Sequence, residues 1–207
     1  MDGDGREGVK HGVLGGTFDP VHLGHIKMAE EARVALGLRG VILVPAGQPM
    51  TRTQRGLTPA AQRLEMLRLA LAANPHLVVS TIEIDRPGPS YTVETIDALR
   101  RQFGSGDELY FILGWDSLAQ IAQWREPSRI IEMCSLAAIP RPGYTRPDLD
   151  KLEADVPGIK RRVIFLEEPR LDISAMEIRE KVSRGEAIDH LVPGPVAEYI
   201  KKHKLYR

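Results

Sequence analysis

A doubly wound α/β fold, a parallel sheet with helices on both faces, is what this sequence of 207 residues predicts. Three observations carry the expectation. Short apolar runs alternate with amphipathic segments nearly throughout, the pattern of strand–helix–strand units. The first run stops at a glycine pair and passes through a turn into helical periodicity. Most of the chemically conspicuous residues follow the apolar runs, where parallel sheets bind their ligands.

The first element is the run at 11–15, in which Val13 and Leu14 lead to Gly15 and Gly16. Beyond His25 the apolar positions Ile26, Ala29, Ala32 and Leu36 recur at steps of three and four, so a helix is expected over 22–36. Further strand-like runs occupy 41–44, 77–82, 109–113, 136–139 and 163–166. Helical segments are expected at 59–73, 92–103, 117–121, 128–133, 174–183 and 195–201, the last of them forming a C-terminal helical part. Residues 141–158, rich in proline, glycine and charge, are expected to make an irregular excursion without a domain boundary. One domain is expected over 11–207. The lead-in at 1–10 lacks a signal-peptide core and is expected to be disordered.

Hydrophobic residues make up 43% of the chain, enough for a buried core, while the formal net charge is zero. That balance gives no global electrostatic basis for nucleic-acid or membrane binding, so phosphate affinity has to come from a local site. No apolar run approaches the length of a membrane span. The single cysteine, Cys134, excludes an intramolecular disulfide and a cysteine metal cluster, and its apolar neighbours mark it as a buried thiol. These features lead to an expected cytoplasmic protein with no nucleic-acid or membrane partner, homo-oligomerisation being left open.

Residues 12–25 carry the most chemistry: Gly-Val-Leu-Gly-Gly-Thr-Phe-Asp-Pro-Val-His-Leu-Gly-His. The order is strand, glycine turn, helix start, with His22 and His25 in or beside the first helical turn. A helix start offers unpaired N–H groups and the positive end of the dipole to an anion. Glycine lets a phosphate approach the backbone, and imidazoles three residues apart share one helix face. Neither GxGxxG nor GxxxxGK[ST] occurs, so this stretch has to account for polyphosphate handling by itself.

Gly15-Gly16-Thr17-Phe18-Asp19-Pro20 followed by His22-Leu23-Gly24-His25 resembles the first motif of the HxGH nucleotidyltransferases, and most closely the bacterial nicotinate-mononucleotide adenylyltransferases. The resemblance implies a Rossmann-like sheet. It implies transfer of the adenylyl group of ATP, with magnesium, to nicotinate mononucleotide, giving deamido-NAD and pyrophosphate by direct in-line attack. Its ATP site would include Gly15, Gly16, Thr17, Phe18, His22, Gly24 and His25, with His22 and His25 catalytic.

Later segments resemble the family in order. In the loop at 45–56, Arg52 matches a basic position that would meet the mononucleotide, while Thr51 replaces the usual histidine. A solvated loop is the plain alternative. Gln62-Arg63-Leu64-Glu65-Met66-Leu67 also matches, and reads physically as helix packing. In Ser90-Tyr91-Thr92, Ser90 could cap the following helix; the resemblance assigns Tyr91 and Thr92, together with Thr17, to the nicotinate mononucleotide. Gly114-Trp115-Asp116-Ser117 puts a carboxylate after a strand, where it could accept from ribose hydroxyls or cap a helix. The resemblance places Gly114 and Asp116 with ATP and Trp124 against the pyridine ring, leaving Trp115 to packing.

Ile173-Ser174-Ala175-Met176-Glu177-Ile178-Arg179 reads as a second anion-binding helix start. Its family counterpart binds the ATP phosphates opposite the histidines, so Ser174 and a catalytic Arg179 are implied. Met176 stands where threonine is usual. Rival readings stay open: an adenylyltransferase for nicotinamide mononucleotide, phosphopantetheine or FMN, and a nucleotide-binding sensor without turnover.

Overall fold

The computed structural model describes residues 8–49, 56–169 and 172–207. Six strands pair entirely in parallel: β1 (Lys10–Gly16), β2 (Gly40–Pro45), β3 (Leu77–Val79), β4 (Glu108–Gly114), β5 (Ser135–Ile139) and β6 (Val163–Phe165). Their order is β3-β2-β1-β4-β5-β6. The chain winds outward from β1 to β3, then crosses back to lay β4 on the other side of β1. The carboxyl ends of β1 and β4 therefore diverge, which opens a crevice at that edge.

Helices α1 (Leu23–Leu36), α2 (Ala60–Leu71), α7 (Ala175–Ser183) and α8 (Gly194–Lys202) supply one layer. Their Ala29, Ala32, Met66, Leu67, Ile178, Val196 and Ile200 bury against Leu14, Leu43 and Ile112 of the sheet. The other face takes α3 (Thr92–Arg100), α4 (Trp115–Ala119), α5 (Pro127–Met133) and α6 (Leu149–Asp155). There Val93, Ile96, Leu118, Ile130 and Leu152 pack on Val13, Phe111, Leu113 and Leu136. Successive strand residues point to opposite faces, so Val13 and Leu14, or Phe111 and Ile112, feed different cores. This is why the runs read as continuously apolar. The fold is the expected Rossmann-like, doubly wound sheet.

Four local expectations change. Helix α4 begins at Trp115, two residues early, and β3 ends at Val79 rather than at 82. The excursion at 141–158 contains α6, which Asp148 caps by accepting from the Asp150 and Lys151 N–H groups at 2.9 and 3.4 Å. A capping aspartate ahead of Leu149 and Leu152 was the overlooked signal. Gly8–Lys10, counted with the lead-in, are held: the Val9 N–H donates to Asp107 at 2.9 Å and its carbonyl accepts from Glu108. Cys134 is buried, its thiol pushed up to about 12 by desolvation. Among the described residues no helix is long and apolar enough to cross a membrane.

Candidate active site

A cleft of about 720 Å³ opens at the carboxyl edge of the sheet. Strand ends and helix starts line it in turn. From the end of β1 and the start of α1 come Gly15, Gly16, Thr17, His22, Gly24 and His25; from β4 and its continuation, Gly114 and Ser117. Thr92 at the start of α3, Trp124, Arg141 after β5, and Ser174 ahead of α7 complete the wall.

His22 caps α1 and His25 stands in its first turn, their rings stacked 3.6 Å apart between centroids. The His22 N–H donates to His25 Nδ1 at 3.3 Å. A neutral imidazole that accepts at Nδ1 carries its proton at Nε2, so His25 keeps one N–H donor for a ligand. Burial lowers the His22 pKa to about 4, with a further push from the Arg141 charge. His25 is held well below its usual value by burial, by His22 and by Arg141. Both rings are thus neutral donors at pH 7 in the free protein. Phe18, buried and edge-on to His25 at 4.9 Å, braces that ring rather than lining the cleft. It does so at φ 51°, a left-handed conformation that costs a non-glycine residue on the order of 1 kcal/mol.

Gly24 has a steric reason. A Cβ there would stand 2.9 Å from His22 Nδ1 and 3.0 Å from Cε1, so the ring could not hold its place. Gly114 is similar: a Cβ would fall 2.4 Å from Asp116 Oδ1.

Asp116 lies inside α4 with Gly114 as the cap, so the capping alternative lapses. Its Oδ2 instead pairs with Arg141 Nη1 at 3.0 Å. Its Oδ1 and His22 Nδ1 are two of three buried side-chain polar atoms without a hydrogen-bond partner among the described residues; Trp115 Nε1 is the third. Such atoms cost about 1–3 kcal/mol each until something pairs with them.

Other expected residues scatter. Ser174 caps α7 by accepting from the Glu177 N–H at 3.1 Å. Ser90 does not cap α3; its hydroxyl accepts from Gly47 N–H at 3.1 Å and ties two loops together. Tyr91 is the residue ahead of α3, its ring 4.6 Å beneath the Arg125 guanidinium and away from the cleft wall. Trp124 lines the cleft, edge-on to Phe111. Arg179 does not line it: its Nη1 donates to the Asp19 carbonyl at 2.7 Å, behind the glycine loop. Met176 is exposed outside the lining. Arg52 and Thr51 lie outside the described residues.

Sequence reasoning missed three groups. Arg141 lines the cleft and bears on both histidines; its one signal was a cation just after a strand. Arg63, assigned to packing, is fully buried and donates to the carbonyls of Thr17, Ala46 and Thr58 at 2.7, 2.7 and 2.9 Å. Asp19, read as a turn residue, is 4% exposed and accepts from Thr58 N–H and the Tyr206 hydroxyl.

Among known proteins, the model of the cytidylyltransferase-like family matches residues 13–181. A Dehalococcoides mccartyi protein named "Probable nicotinate-nucleotide adenylyltransferase" is 45% identical over 198 residues, 96% of this chain and 97% of its own length. A Thermomicrobium roseum protein of the same name is 45% identical, covering 95% of this chain and 91% of its own. The structure of Plasmodium falciparum nicotinic acid mononucleotide adenylyltransferase complexed with NaAD superposes with a TM-score of 0.78 at 18% identity, over 96% of this chain and 97% of that one. At that identity the likeness shows the fold.

Proposed function

Since the chain belongs to the cytidylyltransferase-like family, and within it to the nicotinate-nucleotide adenylyltransferases, we propose that it joins ATP and nicotinate mononucleotide into deamido-NAD and pyrophosphate. The observation that supports this most is the stacked pair of neutral imidazoles at the start of α1, facing a cleft at the sheet's switch point.

The acceptor's phosphate oxygen attacks the α-phosphorus of ATP, and the bond from that phosphorus to the oxygen bridging to the β-phosphate breaks. The nucleophile is ionised at neutral pH, so no general base is required. The protein's work is positioning and charge neutralisation. His25 Nε2–H, His22 and the first N–H groups of α1 and α7 are suited to donate to the transferring and leaving phosphates. Arg141 adds a cation that the sequence reading lacked, while Arg179 acts from behind the loop through the Asp19 carbonyl. Arg52 keeps its proposed role from sequence alone. Asp116 Oδ1, buried without a partner, suits a ribose hydroxyl.

At the other end of the cleft, the indole of Trp124 suits an electron-poor pyridine ring. Thr92 offers a hydroxyl at the start of α3, where the dipole favours a carboxylate. Magnesium would enter with the substrate as MgATP. On the nucleotide it would offset the phosphate charge.

The test is pyrophosphate release from MgATP with nicotinate mononucleotide and with nicotinamide mononucleotide in parallel. Strong preference for the acid is expected. Preference for the amide would overturn the substrate, and ATP binding without pyrophosphate release would leave a sensor.

A further inference from the structure

The loop between β1 and α1 is gripped from three sides. Arg63 Nη1 donates to the Thr17 carbonyl at 2.7 Å, and Arg179 Nη1 donates to the Asp19 carbonyl at 2.7 Å. The Asp19 side chain takes the third grip. Its Oδ2 accepts from the Thr58 N–H at 3.2 Å, and its Oδ1 from the Tyr206 hydroxyl at 2.6 Å, a contact 187 residues apart in sequence. In the sequence Tyr206 stands only in a tail, 191–207, that resembles the family's C-terminus, with no role in the site.

How the chain delivers that phenol is informative. After α8 the backbone takes two left-handed non-glycine residues, Lys204 at φ 53° and Tyr206 at φ 62°. Each costs on the order of 1 kcal/mol and persists only where surrounding contacts fix it. Leu205 and Tyr206 pack against the core cluster that contains Phe18 and Val21. The α1 end of the loop is tied to the same part of the chain, because Leu23 N–H donates to the Leu191 carbonyl at 2.9 Å. Burial and the bond to Asp19 raise the phenol's pKa, so it stays a donor across the working range.

We propose that Tyr206 is a positioning residue for the phosphate-handling loop: its hydroxyl, through the Asp19 carboxylate, fixes the turn that carries Thr17 and braces His25 through Phe18. The C-terminal segment is thereby part of the site's preorganisation, although it touches no substrate. A simple anchor for α8 would stabilise the fold without altering turnover. A clasp on the loop alters turnover, because donors misplaced by a fraction of an ångström lose most of their value at a developing charge. The catalytic readout rests on the adenylyltransferase reading; the structural readout does not.

The test uses Tyr206→Phe in the full chain, which deletes one hydroxyl and keeps the ring. Without substrate, amide hydrogen exchange in peptides covering 17–25 and 56–60 is expected to quicken about fivefold or more, with α3 unchanged. In the pyrophosphate assay kcat is expected to fall roughly tenfold while both KM values stay within about twofold. Asp19→Asn is expected to match it, and the double variant to lose no more than either. Tyr199→Phe, on α8 and stacked on His203, is the control expected to move neither readout. Unchanged exchange over 17–25 overturns the proposal, as does additivity of the two losses or a loss confined to thermal stability. If the unaltered protein releases no pyrophosphate with either mononucleotide, the functional reading fails, and the exchange result alone decides the clasp.

Discussion

Arg141 Nη1 stands 3.0 Å from Asp116 Oδ2, joining the segment after β5 to the second residue of α4 across the cleft edge. The arginine side chain is about half exposed, so the pair contributes little to stability. Its weight is electrostatic, since the same cation helps to keep both histidines neutral. A bound triphosphate would give that charge a better partner. Arg141→Ala is therefore expected to raise the KM for ATP roughly tenfold while leaving the melting temperature within about 2 °C. Steady-state kinetics with a parallel thermal melt decide it; an unchanged KM would put Arg141 outside the nucleotide site.

Gly24 separates helix propensity from function. Alanine at this position is the better helix former, by up to about 1 kcal/mol, so Gly24→Ala has no reason to weaken α1 by itself. The new methyl would nevertheless meet His22 Nδ1 at 2.9 Å and tilt the ring out of its stack. Turnover is expected to fall roughly 10- to 100-fold with thermal stability unchanged, and His25→Ala to fall about 10²-fold or more. Near-normal turnover in both would remove the imidazole pair from the mechanism.

Arg63 shows the opposite balance. It is buried, its pKa is lowered chiefly by desolvation, and it holds the carbonyls of Thr17, Ala46 and Thr58 in one fork. Arg63→Met strands those acceptors and is expected to cost on the order of 3 kcal/mol, lowering the melting point by roughly 6–12 °C. Arg63→Lys cannot reproduce the fork and is expected to recover little of it. Denaturant unfolding of the three proteins measures this, and a lysine variant as stable as the original would show that charge alone suffices.

These contrasts mark what a sequence can disclose. Strand and helix positions were legible because both cores impose a period: Val13 and Leu14 must each find an apolar face. The histidines were legible because a glycine turn and a helix start have local signatures. Arg141, Asp19 and Tyr206 were not, since their roles arise from contacts between elements distant in sequence. Asp116 was ambiguous for a local reason: whether it caps a helix depends on a two-residue shift in where α4 begins. Arg179 lies about one turn into α7, as its spacing from Ser174 implied, yet its guanidinium turns to the Asp19 carbonyl, a partner 160 residues away.

The same two histidines set a pH dependence whose direction follows from their shifts. An unfolded histidine takes a proton near pH 6.5, whereas folded His22 waits until about pH 4 and His25 is likewise held well below its usual value. Above pH 6.5 both rings are neutral in both states and cost nothing. Between pH 6.5 and 4 the unfolded chain binds more protons, so acidification drains stability, by on the order of 3 kcal/mol from His22 alone. Urea unfolding at pH 7.5 and pH 5 is expected to show about 2 kcal/mol of this loss from His22, and His22→Asn to reduce it. Bound polyphosphate reverses the local balance, because an anion beside the rings favours their charged forms. Nucleotide binding near pH 6 is therefore expected to take up protons. Calorimetry in two buffers of different ionisation enthalpy reads that uptake directly; an uptake of zero would mean that the imidazoles meet the phosphates as neutral N–H donors, with Arg141 and the helix starts carrying the charge.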